Sequence, residues 1–207
     1  MPARNFDLHG NAPDSSTDAV LLIDVINDME FDGGEQLLKP ALAAARRIAP
    51  LIERARDRRI PVIYANDNFG RWRSDFREVV EHCLHDDVRG RPVVELLHPE
   101  PNDYFVLKPK HSAFFSTTLD TLLKYLQTRR LIMAGFATDV CVLLTAADAY
   151  IRDFELAVPE DCSASESRAE NRKALDYMKR IFRADTRRSA SLRLAPAQRQ
   201  KRSSGRR

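Results

Sequence analysis

The stretch AGFATDVCVLLTAADA, residues 134–149, decides how the chain is read. It opens as the end of an apolar strand, RLIMAG from Arg130, and continues with helical spacing over 139–153. A strand, a tight turn and a helix make the repeating unit of a parallel α/β fold. Here the turn follows Gly135, and Cys141 stands six residues on, in the expected first helical turn, with Thr138 or Asp139 as its N-cap.

The same alternation extends in both directions. Strands are expected at 19–23 (AVLLI), from Ile60 (IPVIYA), at 104–107 (YFVL), from Phe154 (FELAVP) and at 184–186. Helices are expected at 36–58, 74–84, 119–127 and 165–182. Nearly continuous apolar strands separated by helices indicate a parallel sheet covered on both faces. The fold class is therefore three-layer α/β/α, a doubly wound, Rossmann-like sheet of six parallel strands. Sites in such sheets lie beyond the carboxyl ends of the strands. Neither G-x-G-x-x-G nor G-x-x-x-x-G-K-[ST] occurs, so a phosphate-binding loop has no support.

Composition sets the outer limits. A chain of 207 residues, 43% hydrophobic, suits one globular domain, expected over 19–186. No apolar run reaches the roughly 18 residues of a membrane helix. Residues 1–18 read as a flexible lead-in without the apolar core of a secretory signal. Cys83, Cys141 and Cys162 are far apart in sequence and form no C-x-x-C pair, so reduced thiols in a cytoplasmic protein are expected. Residues 187–207 hold seven arginines, one lysine and no acid, so within a net charge of +3 the rest of the chain carries −5. That basic segment is expected to be disordered. No base-reading motif accompanies it, which argues against a nucleic-acid partner.

Three residues follow directly on strands. Asp24 ends the run LLID, Lys108 ends YFVLK, and Cys141 follows the turn after RLIMAG. A thiol near a helix N-terminus and a lysine is expected to have a lowered pKa. Asp24 can take the thiol proton, and Lys108 can keep Asp24 ionised and offset developing negative charge. Backbone N–H groups of the turn can hold an oxyanion. Taken singly, each residue has a plainer reading: a core cysteine, a turn aspartate, a solvated lysine. Cys83 and Cys162 read as structural thiols.

The chain resembles the isochorismatase-like cysteine hydrolases, which include nicotinamidases and N-carbamoylsarcosine amidohydrolases. The resemblance covers roughly 19–186. It rests on LLIDVINDMEF, RRIPVIYANDN, VLKPKHSAFFSTTLDTLL and LIMAGFATDVCVLLTAADAYIRDFELAVPEDCSA. It implies that Asp24, Lys108 and Cys141 form the catalytic triad. Lys110 is a rival for the lysine role, but the K-x-x-x-S-A-F spacing selects Lys108, with Ser112-Ala113-Phe114 behind it. The resemblance also implies a thioester route, a homo-oligomer (dimer or tetramer), and a cis peptide at Phe136–Ala137. That bond would aim the Ala137 and Cys141 N–H groups into one oxyanion hole.

Metal-binding nicotinamidases carry Asp-x-His after the second strand. This chain has Asn66-Asp67-Asn68-Phe69 there, and His82 and His85 lack ligand spacing, so no metal or other cofactor is expected. Asn27, Phe31, Asn66 and Trp72 are expected to line the substrate pocket, and His111 to lie near the site. The activity implied is hydrolysis of a carbon–nitrogen bond, amide, carbamoyl or ureide, in a small molecule. Two alternatives stand beside it: vinyl-ether hydrolysis of the isochorismatase type with Asp24 as acid, and a non-catalytic binding or assembly module on the same fold.

Overall fold

The computed structural model describes residues 15–67 and 75–195. Its sheet is built from β1 (Asp18–Ile23), β2 (Val62–Asp67), β3 (Tyr104–Lys108), β4 (Arg130–Phe136), β5 (Glu155–Ala157) and β6 (Ser163–Ala164). All pairings are parallel. The order is β3-β2-β1-β4-β5, with β6 also pairing β4, farther along it than β5 does. The helices are α1 (Gly34–Asp57), α2 (Phe76–His85), α3 (Arg91–Leu96), α4 (Leu119–Tyr125), α5 (Leu143–Ile151) and α6 (Arg168–Ile181). The short α3 had no distinct signal in the sequence.

The alternation of side chains along β1 builds the three layers. Val20 and Leu22 pack with α1, α2 and α3 on one face, through residues such as Ile48, Ile52, Val79 and Val94. Ala19, Leu21 and Ile23 pack with α4, α5 and α6 on the other, against Leu123, Ala146 and Met178. All five side chains are fully buried, which is why β1 reads as a continuous apolar run. No helix among the described residues is long and apolar enough to cross a membrane.

Two expected boundaries move. The sixth strand is Ser163–Ala164, not 184–186. Asp185 makes only an isolated bridge to Ala157, because β5 stops after three residues. The segment 187–195 is also part of the fold, against the expectation of disorder. Ser189–Ser191 form a 3₁₀ turn, and Leu192 and Leu194 enter the core beside α1. Arg54 on α1 donates to the Ser189 and Leu192 carbonyls at 3.0 and 2.9 Å. At the start of β1, Asp18 accepts from Arg130 and from the Ala195 N–H. The two leucines in SLRLA supply enough apolar area to offset the ordering of so short a stretch. Leu192→Ala should therefore lower unfolding free energy by about 2 kcal/mol, read by urea denaturation. A solvated segment would give no change.

Gly135 is fixed by close backbone approach. Its φ is 133°, and a Cβ there would lie 2.0 Å from the Ile23 carbonyl oxygen. Gly135→Ala must therefore both strain its own backbone and push β4 off β1. A loss of at least about 3 kcal/mol is expected in the same denaturation assay.

Candidate active site

Each of the three strand-end residues is placed by its strand. Asp24 follows β1 in a left-handed conformation, φ 52°, which Asp tolerates better than most side chains. Its own N–H donates to the Ala65 carbonyl, and its Oδ1 accepts from the Asp67 N–H at 2.8 Å. Lys108 is the last residue of β3 and has no solvent exposure. Cys141 follows β4, in a π-helical turn, Thr138–Val142, that runs directly into α5. The turn is wide because the Val142 N–H reaches back five residues to the Ala137 carbonyl.

The three side chains converge. Lys108 Nζ lies 2.9 Å from Asp24 Oδ2 and 3.7 Å from Cys141 Sγ. The rival, Lys110, is exposed, and only its backbone is involved, its carbonyl accepting from Lys108 Nζ at 3.3 Å. Asp67 adds a second carboxylate, with Oδ2 3.5 Å from Lys108 Nζ. In the sequence Asp67 stands out only as the remnant of a metal element. Its position next to Lys108 follows from the pairing of β2 with β3, which sets Asp67 opposite Lys108. Among the described residues no cluster of three or more His, Cys, Asp or Glu is placed to hold a metal ion. His82 instead pairs with Asp86 and Asp28, and His85 with Glu81.

The electrostatics differ from expectation at the thiol. Burial, followed by the negative charge of Asp24, pushes Cys141 up to about 12, and Lys108 offsets only part of this. The helix N-terminus and the lysine were expected to lower it, but Lys108 is already neutralised by Asp24. Burial also raises Asp24 above its ordinary value, against the pull of Lys108. For Lys108, burial acts downward, yet the Asp24 carboxylate and the other nearby groups hold the ammonium above its ordinary value. At neutral pH the resting site therefore holds an ammonium and a neutral thiol. Cys83 and Cys162 are core residues, both pushed up to about 12 by burial, and all three cysteines are free.

The peptide between Phe136 and Ala137 is trans, as is every described peptide bond, so the expected cis bond is absent. The strand-to-helix turn is formed with Gly135 at positive φ and the widened turn at 138–142. Ala137, not Thr138 or Asp139, is the N-cap. Asp139 is tied to Ser165, whose hydroxyl donates to its carboxylate.

The expected pocket residues divide. Asn66 is fully buried; its amide nitrogen donates to the Ile26 carbonyl in the loop after β1, and its Oδ1 has no hydrogen-bond partner among the described residues. Asn27 is buried too, and its side chain accepts from the Met29 N–H in the same loop. Phe31 is 40% exposed near the end of that loop. Trp72 lies outside the described residues. His111 does reach the site, with Nδ1 3.8 Å from Cys141 Sγ. The supporting network was not foreseen. The Ser112 hydroxyl donates to Asp148, the Ala113 N–H donates to Thr145 Oγ1, and that hydroxyl donates to the Cys141 carbonyl at 2.7 Å. The S-A-F spacing pointed to the lysine, but the partners on α5 follow only from the fold.

Fold and site together define a parallel α/β protein with a thiol, an ammonium and a carboxylate meeting at three strand ends. The Isochorismatase domain model matches residues 18–189. The uncharacterized isochorismatase family protein YaaI of Bacillus subtilis is 41% identical over 167 residues, which are 81% of this chain and 91% of YaaI. An Arabidopsis thaliana protein named "probable inactive nicotinamidase" is 31% identical over 157 residues, 71% of this chain and 80% of that protein. The crystal structure of N-carbamoylsarcosine amidase from Thermoplasma acidophilum superposes with a TM-score of 0.65 at 25% identity, covering 85% of this chain and 98% of the amidase. The chain belongs to the isochorismatase family, a family of hydrolases.

Proposed function

We propose that this protein is a cysteine hydrolase that cleaves a carbon–nitrogen bond, amide, carbamoyl or ureide, in a small molecule through a thioester on Cys141. The observation that carries the reading is the contact chain from Cys141 Sγ to Lys108 Nζ, 3.7 Å, and from there to Asp24 Oδ2, 2.9 Å. A neutral thiol is a poor nucleophile, so its proton must leave as the sulfur attacks. Asp24 takes it. Lys108 stabilises the forming thiolate, and N–H groups of the turn, those of Ala137 and Cys141, receive the carbonyl oxygen's charge. Protonated Asp24 then delivers the proton to the departing nitrogen. The raised pKa of Asp24 suits a group that is base and then acid in one cycle. Likeness to a carbamoylsarcosine amidase supports the bond type.

The test is an activity screen over simple amides, carbamoyl compounds, ureido acids and isochorismate, run with a metal chelator. Turnover of a carbon–nitrogen substrate that is lost in Cys141→Ala is expected. The raised pKa of Asp24 also favours a second reading, in which it protonates a vinyl ether without the thiol. Isochorismate turnover that survives Cys141→Ala and is lost in Asp24→Asn would select that reading.

A further inference from the structure

Cys141 Sγ has unlike neighbours. Asp24 and Lys108 are shut away from water, at 6% and 0% exposure. His111, also in contact with the sulfur, is exposed to solvent, with Nδ1 3.8 Å from Sγ. Among the described residues the sulfur is the imidazole's only hydrogen-bonding partner.

The histidine does not reach the thiol by chance swing of a loop. Lys108 Nζ donates to the Lys110 carbonyl on one side of it. Ser112 and Ala113 are sewn to Asp148 and Thr145 on the other, and Thr145 is bonded to the Cys141 carbonyl itself. The backbone bearing the imidazole is thus referenced to the backbone bearing the sulfur.

An acyl group on Cys141 must be released by water, and His111 is the neighbour of Sγ that solvent reaches. We infer that His111 is the catalytic base of this second half-reaction, while Asp24 serves the first; the inference rests on the reading of Cys141 as nucleophile. Nδ1 accepts a proton from a water molecule as the water oxygen bonds to the thioester carbonyl carbon. The carbonyl π electrons move to oxygen and return as the carbon–sulfur bond breaks. The imidazolium gives the same proton to the departing sulfur. The products are a carboxylic acid and the free thiol, and no electron is gained or lost. An imidazole in contact with Sγ is placed for both transfers.

The probe is p-nitrophenyl acetate, whose first turnover reports acylation and whose steady rate reports release. Wild type, His111→Ala and Cys141→Ala are compared by stopped flow, with peptide mass mapping of the acetyl group. In His111→Ala the burst of nitrophenolate should persist at about one per site. Its steady rate should fall about a hundredfold. Acetyl-Cys141 should accumulate, KM should fall along with kcat, and added imidazole should restore the rate. An unchanged steady rate in His111→Ala, or a burst lost together with the steady rate, overturns the role of His111 alone. A burst that survives Cys141→Ala, or is missing from the wild type, overturns the nucleophile and with it the inference.

Discussion

Cys141→Ala should lower kcat/KM for the carbon–nitrogen substrate by about four orders of magnitude or more, with the fold intact. The size of the effect follows from the chemistry. Without the sulfur there is no covalent route, and the remaining N–H groups and Lys108 can only stabilise direct attack by water. The fold should survive because the change removes one partly exposed sulfur, a substitution costing less than about 1 kcal/mol. Steady-state kinetics and urea denaturation on one preparation separate the two quantities. A fall in activity matched by a fall in stability would point to packing instead.

The second large effect is on stability. Lys108→Met should cost about 3–5 kcal/mol, because it leaves Asp24 buried without its ammonium. Asp24→Asn should cost distinctly less, since Lys108 keeps Asp67 at 3.5 Å. The two variants also separate in pH dependence. Burial raises the folded pKa of Asp24 above the ordinary 3.8, so the native state holds its proton more tightly than the unfolded chain does. The Asp24 contribution to stability is therefore greatest below 3.8 and is lost as pH rises toward the folded value. Removing Lys108 removes the main force opposing that rise. Lys108→Met should then go on losing stability to higher pH than the wild type, whereas Asp24→Asn should lose this dependence. Urea titrations across the acid and neutral range read both. Lys108 itself is held above its ordinary 10.5, so its contribution is fully present at neutral pH and fails only as pH rises through its folded value.

Much of the site was legible because a parallel sheet places its strand ends together. Asp24, Lys108 and Cys141 are separated by up to 117 positions, yet each follows an apolar run; in the sheet β1 and β4 are neighbours and β3 lies one strand further, across β2, with its carboxyl end on the same side of the sheet. What the sequence hid was the environment. A cysteine near a helix start and a lysine suggests a thiolate, but Asp24 consumes the charge of Lys108 and burial does the rest. The cis form of the Phe136–Ala137 bond is implied only by the resemblance, and the bond is trans. Asn66 is a polar residue near a strand end, but no local pattern encodes its complete burial or its bond to the Ile26 carbonyl. Leu192 and Leu194 were outweighed in the sequence by the arginines around them, and only the position of Arg54 on α1 shows where that segment docks.

The central claim is that Cys141 carries the acyl group during turnover. The direct measurement is rapid acid quench of the enzyme during turnover of the carbon–nitrogen substrate found in the screen, followed by mass analysis of the Cys141 peptide. The expected result is that peptide heavier by the substrate's acyl group, appearing before steady state and absent in Cys141→Ala. Continued turnover with the Cys141 peptide unmodified at every quench time, and with Cys141→Ala still active, would contradict it.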